Sequence, residues 1–357
     1  MKNFKAIHQF TPSVDAGDSV SNGVLFTQKL LHDLGYISNI YNCDKAVSTS
    51  FKKEIFHISQ YEQSEQNLLL YHHSIGHVCH SNIMNFKDKK VLIYHNITPS
   101  HFFINEKHLQ VACDEGREQL KNSADSFVAS IGDSDYNSKE LKAYNYKDPL
   151  TLPLLLDLNL QNSVIPNDKI TKKYKDSYNI IFVGRVVQNK CQHQLIDTLQ
   201  ELKLLGEKNI KLFIVGGVSQ PDYFNFLHEY ASNLGLTSDV VLTNKVSDED
   251  LAAYYSCADL YLSLSEHEGF GIPLIEAMKY DVPVLTYDAG GIASTVTPNS
   301  LMDKKSPRYV AKKILQLKND EDFKSKLLQE QNQHLKTFSY ENMKTRLSDF
   351  LSTLKQA

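Results

Sequence analysis

Ser265-Glu266-His267-Glu268-Gly269-Phe270-Gly271-Ile272-Pro273-Leu274-Ile275-Glu276-Ala277-Met278 is the stretch on which the reading of this chain turns. It follows an apolar run at 260–264 that has the length of a buried strand. Pro273 suits a first helical turn, so a strand, a loop with two glycines and a helix succeed one another. Free backbone N–H groups at such a helix start, with glycines that let a ligand come close, make a phosphate site. Glu268 in the loop and Glu276 in the first turns of the helix can accept hydrogen bonds from sugar hydroxyls. The bland alternative is a glycine-containing turn followed by a helix-capping acid.

Outward from this stretch, strands and helices alternate. Strand patterns at 179–183, 211–215, 240–243, 260–264 and 283–287 are separated by helical ones at 192–205, from 222, at 248–257 and at 272–280. Ser247 ahead of Asp248, Glu249 and Asp250 puts a hydroxyl cap and three carboxylates where a helix dipole favours them. In the first half, strands are expected at 5–10, 36–41, 67–73, 90–97, 126–130 and 150–156. A helix at 23–34 has Leu30, Leu31 and Leu34 on one face and Gly35 as its stop. This alternation predicts an α/β protein of two doubly wound, Rossmann-like domains with parallel sheets, and a ligand cleft between them. Around Pro166 the composition shifts to Asn, Asp and Lys. The expected division is therefore 1–160, a linker at 161–177, a second domain at 178–338 and a final helix at 339–357. The apolar stripe of that helix, Met343, Leu347, Phe350, Leu351 and Leu354, requires burial and is expected to cross back to the first domain.

The length of 357 residues agrees with two domains. Lys plus Arg number 38 against 42 Asp plus Glu, a net charge of -4 without the basic surplus of a nucleic-acid binder. Cys43, Cys79, Cys113, Cys191 and Cys257 are odd in number, far apart and free of any Cys-x-x-Cys pair. That pattern argues against a disulfide framework and for a reducing compartment. No signal-like apolar core and no run of membrane-span length is present, so a soluble, cytoplasmic protein is expected. Lys87, Lys89 and Lys90 leave open a peripheral contact with the inner face of a membrane.

A second segment, Phe182-Val183-Gly184-Arg185-Val186-Val187-Gln188-Asn189-Lys190, also follows a strand. Arg185 and Lys190 flank a loop where two cations can grip a diphosphate, with about 1.5–3 kcal/mol for each charge-assisted hydrogen bond. No Gly-x-Gly-x-x-Gly follows the first strand and no Gly-Lys-Ser/Thr loop exists, which removes the main support for dehydrogenases and NTPases.

Taken with Cys257-Ala258-Asp259-Leu260, Pro283-Val284 and Ala289-Gly290-Gly291-Ile292, these segments resemble GT-B fold glycosyltransferases of the retaining family 4 (glycosyl transferases group 1) type. The resemblance is firm over 180–292. It implies that Gly184, Arg185 and Lys190 hold the diphosphate of a UDP- or GDP-linked sugar, that Glu276 binds the ribose and that Glu268 binds the donor sugar. The backbone of Gly269, Phe270, Gly271 and Ile272 would face phosphate or sugar oxygens, and Val246 would lie beside the base. No cofactor or metal is implied. Two positions depart from the pattern. Cys191 stands where Gly commonly follows the Lys, and the N-terminal glycine loop is Asp15-Ala16-Gly17-Asp18-Ser19-Val20-Ser21-Asn22-Gly23, where Gly23 could open a helix toward phosphate.

Ten of the 14 histidines lie in the first 160 residues. Tyr94-His95-Asn96-Ile97-Thr98-Pro99 ends a strand and resembles the corresponding run of polysaccharide-assembling bacterial members. This implies a catalytic His95 near donor sugar or acceptor, with Asn96 beside it on the acceptor side; His72 or His73, ending the preceding strand, is also expected at the acceptor side, His73 foremost. His72, His73, His77, Cys79 and His80 have metal-ligating side chains, with His73 and His77, and His77 and His80, at the spacing of one helix face. No carboxylate completes the set, so a metal is not expected. The acceptor class stays open among glycans, lipid-linked sugars and proteins. The rival readings are a GT-B-fold sugar-nucleotide epimerase and a non-catalytic, carbohydrate-binding partner subunit.

Overall fold

The computed structural model describes residues 4–14, 18–43, 55–103, 106–155 and 164–354. The chain divides into two units. One is Met1–Leu158 with Phe338–Ala357, and the other is Asn159–Thr337.

The first unit runs β1 (Ala6–Phe10), α1 (Ser19–Asp33), β2 (Ile40–Asn42), β3 (Ile55–His57), β4 (Asn67–His73) and α2 (His80–Met84). It continues with β5 (Lys89–Tyr94), α3 (Lys107–Asn122), β6 (Ala129–Gly132), α4 (Asp135–Ala143) and β7 (Leu150–Thr151). All seven strands are parallel, in the order β3-β2-β1-β4-β5-β6-β7. Every residue of β1 and β4 is buried, as expected of parallel strands covered on both faces. β3 escaped the sequence reading because it is a three-residue edge strand with Phe56 exposed.

α1 begins four residues before the expected start at 23. Asp18 is its cap, its carboxylate accepting from the Ser21 N–H and hydroxyl at 2.9 Å each. Gly23 is thus inside the helix rather than opening it. A Cβ there would meet Leu154 Cδ1 at 2.7 Å, so the absent side chain serves close packing. Gly17 lies outside the described residues.

The second unit runs α5 (Asp168–Tyr174), β8 (Tyr178–Val183), α6 (Gln192–Leu204), β9 (Ile210–Val215), α7 (Pro221–Asn233), β10 (Val240–Leu242) and α8 (Asp248–Ser256). It ends with β11 (Leu260–Ser263), α9 (Ile272–Lys279), β12 (Val284–Tyr287), β13 (Leu301–Met302), α10 (Pro307–Asn319) and α11 (Glu321–Leu335). The six strands are parallel in the order β10-β9-β8-β11-β12-β13, a doubly wound sheet whose strand order reverses between β8 and β11.

Part of the expected linker is α5. Asn167 caps it, accepting from the Lys169 N–H at 3.0 Å, and its amide donates to Asp250 of α8 at 2.7 Å. A seven-residue helix is too short to show periodicity, and its polar cap imitates a solvated linker. Residues 156–163 lie outside the described part.

A last helix, α12 (Tyr340–Thr353), belongs to the first unit. It buries Met343, Leu347, Phe350 and Leu351, stacks Tyr340 edge-on to Phe26 of α1 at 5.9 Å, and donates from Arg346 to the Thr151 carbonyl at 3.1 Å. Cys43, just after β2, and Cys79, just before α2, form a disulfide with S–S 2.16 Å. The expectation of no disulfide is corrected, and the cysteine count no longer argues for a reducing compartment. The two cysteines are 36 positions apart in sequence, so the fold brings them together. Among the described residues, no helix is long and apolar enough to cross a membrane.

Candidate functional site

The strand ends on either side of the reversal in the second sheet carry the two sequence motifs. At the end of β8 the Gly184 N–H donates to the Val215 carbonyl at 2.9 Å. Gly216 opposite has φ +151°, and a Cβ there would sit 2.1 Å from the Gly184 oxygen, so the two strand ends touch only because Gly216 has no side chain. The chain then leaves the sheet through the exposed Arg185 and a 3-10 turn, Gln188–Lys190. Cys191 follows in the left-handed region at φ +52°, which explains why glycine suits this position; a side chain there costs about 1–2 kcal/mol of backbone strain. Burial pushes its thiol up to about 11, so it is an inert apolar filler.

The loop after β11 is bound to this turn. The Glu266 N–H donates to the Asn189 carbonyl at 2.8 Å, and Lys190 Nζ lies 2.5 Å from Glu268 Oε2, with the two side chains 17% and 15% exposed. The glycines after β12 brace the same loop. Gly291 N–H donates to the Glu268 carbonyl at 2.8 Å, and a Cβ on Gly290 (φ +63°) would lie 2.4 Å from that oxygen. Gly271 caps α9 at φ +83°, and the Thr295 hydroxyl donates to the Phe270 carbonyl. Gly269, Phe270, Gly271 and Ile272 therefore form a rigid entry to the helix that carries Glu276. The dipole of α9 favours an anion at this end.

Glu276 Oε2 accepts from the Tyr255 hydroxyl at 2.9 Å. Burial, with the nearby carboxylate, holds that phenol well above its ordinary pKa, so it remains a donor. Tyr255 escaped the sequence reading; the only signal was a tyrosine on the buried face of α8, 21 residues before the acid it holds. Val246 is half-buried just beyond β10, ahead of the Ser247 hydroxyl that accepts from the Asp250 N–H at 3.2 Å. Thus two cations, two carboxylates and a helix start are gathered at the carboxyl ends of the second sheet, the place where open α/β sheets bind ligands.

In the first unit, His95 follows β5 and is buried. Its Nδ1 lies 2.7 Å from Asp133 Oδ2 and its Nε2 lies 2.7 Å from His72 Nδ1, while His72 Nε2 is 3.0 Å from Gln9 Oε1. The Gln9 amide donates to the Val24 carbonyl, so its oxygen accepts from His72 Nε2–H and His72 Nδ1 accepts from His95 Nε2–H. A small cavity beside this chain of side chains is lined by Thr27, Leu155, Leu347 and Phe350. Asn96, at φ +70°, donates to Asn137 Oδ1 at 2.8 Å. His73 is buried with Nε2 2.9 Å from the Gly116 carbonyl. These three side chains are thus held by the unit's own interior. His73, His77 and His80 do not share a helix face, because His73 ends β4, His77 lies in the following turn and His80 opens α2. Burial lowers His73 and His80 to about 4 and His77 to about 3, with neighbouring imidazoles adding to the shift at His73 and His77.

Residues 165–335 match the family described as Glycosyl transferases group 1. The chain is 32% identical over 171 residues to the capsular polysaccharide biosynthesis glycosyltransferase CapM of Staphylococcus aureus, covering 45% of this chain and 43% of CapM. It is 29% identical over 221 residues to the O-antigen chain mannosyltransferase RfbU of Salmonella typhimurium, covering 60% and 59%. The match thus spans about half the length of these curated relatives. Among solved structures, Anabaena Alr3699/HepE in complex with UDP and glucose superimposes with a TM-score of 0.74 at 17% identity, over 98% of this chain and 100% of that one. The two Rossmann-like domains have the GT-B fold, and residues 165–335, within the second unit, are the part similar to the group 1 glycosyl transferase family.

Proposed function

We propose that this chain is a retaining, metal-independent glycosyltransferase of the family 4 type. It moves a sugar from a UDP- or GDP-linked donor to a glycan, lipid-linked or protein acceptor in surface polysaccharide or glycoconjugate synthesis. The Lys190–Glu268 pair at the strand reversal, with Arg185 and Glu276 on the flanking elements of the region similar to group 1 glycosyl transferases, supports this reading. CapM and RfbU, named for capsule and O-antigen synthesis, and HepE with UDP and glucose support it.

Glu276, held by Tyr255, takes the ribose hydroxyls. The entering diphosphate brings more negative charge to Lys190 than Glu268 does, so it replaces Glu268 as the partner of Lys190. Glu268 is thereby released to accept from hydroxyls of the donor sugar. Arg185, Lys190 and the start of α9 then stabilise the departing diphosphate while the sugar passes through an oxocarbenium-like state. The acceptor hydroxyl attacks from the face the leaving group vacates and gives its proton to a donor phosphate oxygen. His95 is assigned to the sugar side, oriented by Asp133 and His72. Purified protein should release UDP or GDP from a matching nucleotide-sugar only when an acceptor glycan is present. Epimerised nucleotide-sugar without acceptor, or no turnover across a nucleotide-sugar panel, would overturn the reading.

A further inference from the structure

We propose that His73, His77 and His80 of the first unit form a binding site for a borderline divalent metal ion, zinc foremost. The sugar-transfer reading uses neither His77 nor His80, and the site stands independently of it.

The three imidazoles come from a strand end, a turn and a helix start, yet each presents a nitrogen within 4.8 Å of the other two. Around a tetrahedral zinc with Zn–N of about 2.0–2.1 Å, ligand nitrogens lie about 3.4 Å apart, so modest side-chain rotation closes the set. His73 shows the ligand preparation most clearly. Its Nε2 faces the Gly116 carbonyl at 2.9 Å, which makes that nitrogen the donor and leaves Nδ1 with a bare lone pair. That Nδ1 is buried and has no hydrogen-bond partner. A buried acceptor without a donor costs about 1–3 kcal/mol, and a backbone carbonyl on the opposite nitrogen is the usual orienting contact of a metal-bound histidine.

Tyr71 Oη lies 2.6 Å from both His77 Nε2 and His80 Nδ1. One phenol has a single proton, so it donates to only one of them and accepts from the other. A cation replaces this arrangement with bonds to both nitrogens and leaves the Tyr71 oxygen beside the fourth position. The Cys43–Cys79 disulfide fixes the segment from two sides, since Cys79 immediately precedes His80 and Cys43 Sγ lies 3.9 Å from His77 Nδ1. Three imidazoles without a carboxylate suit zinc, copper or nickel and disfavour magnesium and calcium.

The test is a titration of chelator-treated full-length protein with zinc against a chromophoric competitor, followed by cobalt(II) as a spectroscopic substitute. Saturation at one equivalent and the intense visible bands of tetrahedral cobalt are expected. His77→Gln and His80→Gln should each weaken binding at least tenfold, with circular dichroism reporting their fold, while exposed His108→Gln on α3 should bind as the parent does. Absence of saturable binding by the parent protein would overturn the site whether or not the variants fold. So would binding that survives both substitutions, or a cobalt spectrum dominated by thiolate charge transfer.

Discussion

Glu268→Gln separates the two jobs of Glu268, partner of Lys190 in the empty protein and sugar ligand in the loaded one. Lys190 Nζ and Glu268 Oε2 are 2.5 Å apart, and both side chains are more than four-fifths buried. A charge-assisted hydrogen bond of this kind contributes about 1.5–3 kcal/mol net, and an incoming diphosphate must give up that amount to take Lys190 away. Glutamine keeps the shape and an acceptor oxygen but removes the charge, which also removes a repulsion against phosphate. Free UDP or GDP, whichever the protein prefers, should therefore bind Glu268→Gln about 10-fold tighter, with about 150-fold as the ceiling, by isothermal titration calorimetry. Transfer by the same variant should fall, because the sugar loses its carboxylate. Lys190→Ala should do the opposite to the nucleotide, weakening its binding and lowering kcat/KM about 10- to 150-fold. Unchanged or weaker nucleoside diphosphate binding by Glu268→Gln would refute the idea that the carboxylate and the diphosphate compete for one cation.

Arg185→Ala should lower kcat/KM by a comparable factor with thermal stability unchanged, since the residue is exposed; near-normal turnover would remove it from the diphosphate site. Tyr255→Phe should raise KM for the nucleotide-sugar with little change in kcat, because only the orientation of Glu276 is lost. Asp133→Asn should be nearly neutral for stability, since an amide N–H can donate to His95 Nδ1, whereas Asp133→Ala should cost about 1–3 kcal/mol by chemical denaturation. His8, His193 and His334 have pKa values lowered chiefly by burial, so the folded state binds fewer protons than the unfolded state below about pH 6.5. The contribution of these histidines should be flat above that pH and fall as the solution is acidified, by at most about 1.4 kcal/mol per pH unit for each histidine; His334→Gln should shallow the slope.

What could be read from the sequence follows from how local each feature is. Gly184-Arg185 and Glu268 to Glu276 were legible because a strand end, a glycine turn and a helix start occupy a few consecutive residues. The departure at Cys191 was visible as well, and the structure adds its cause in a positive φ. The first unit resisted because its contacts are distant in the chain. Gln9, His72, His95 and Asp133 come from four different strand ends, and the Cys43–Cys79 pair closes a long loop. α5 and the start of α1 were obscured by polar capping residues, Asn167 and Asp18, which look alike in caps and in linkers.

Because α12 completes the first unit from beyond the second, the order of synthesis and the order of packing differ. A ribosome-bound chain has all seven strands of the first sheet in hand long before Leu347 and Phe350 exist to close the cavity beside His72 and His95. The second unit has every one of its own elements by Thr337 and can consolidate while the first still waits for its cover. Nascent chains long enough to expose residue 337 outside the ribosome should therefore protect the second unit from protease and leave the first cleavable, with protection of the first spreading only as 338–354 emerge.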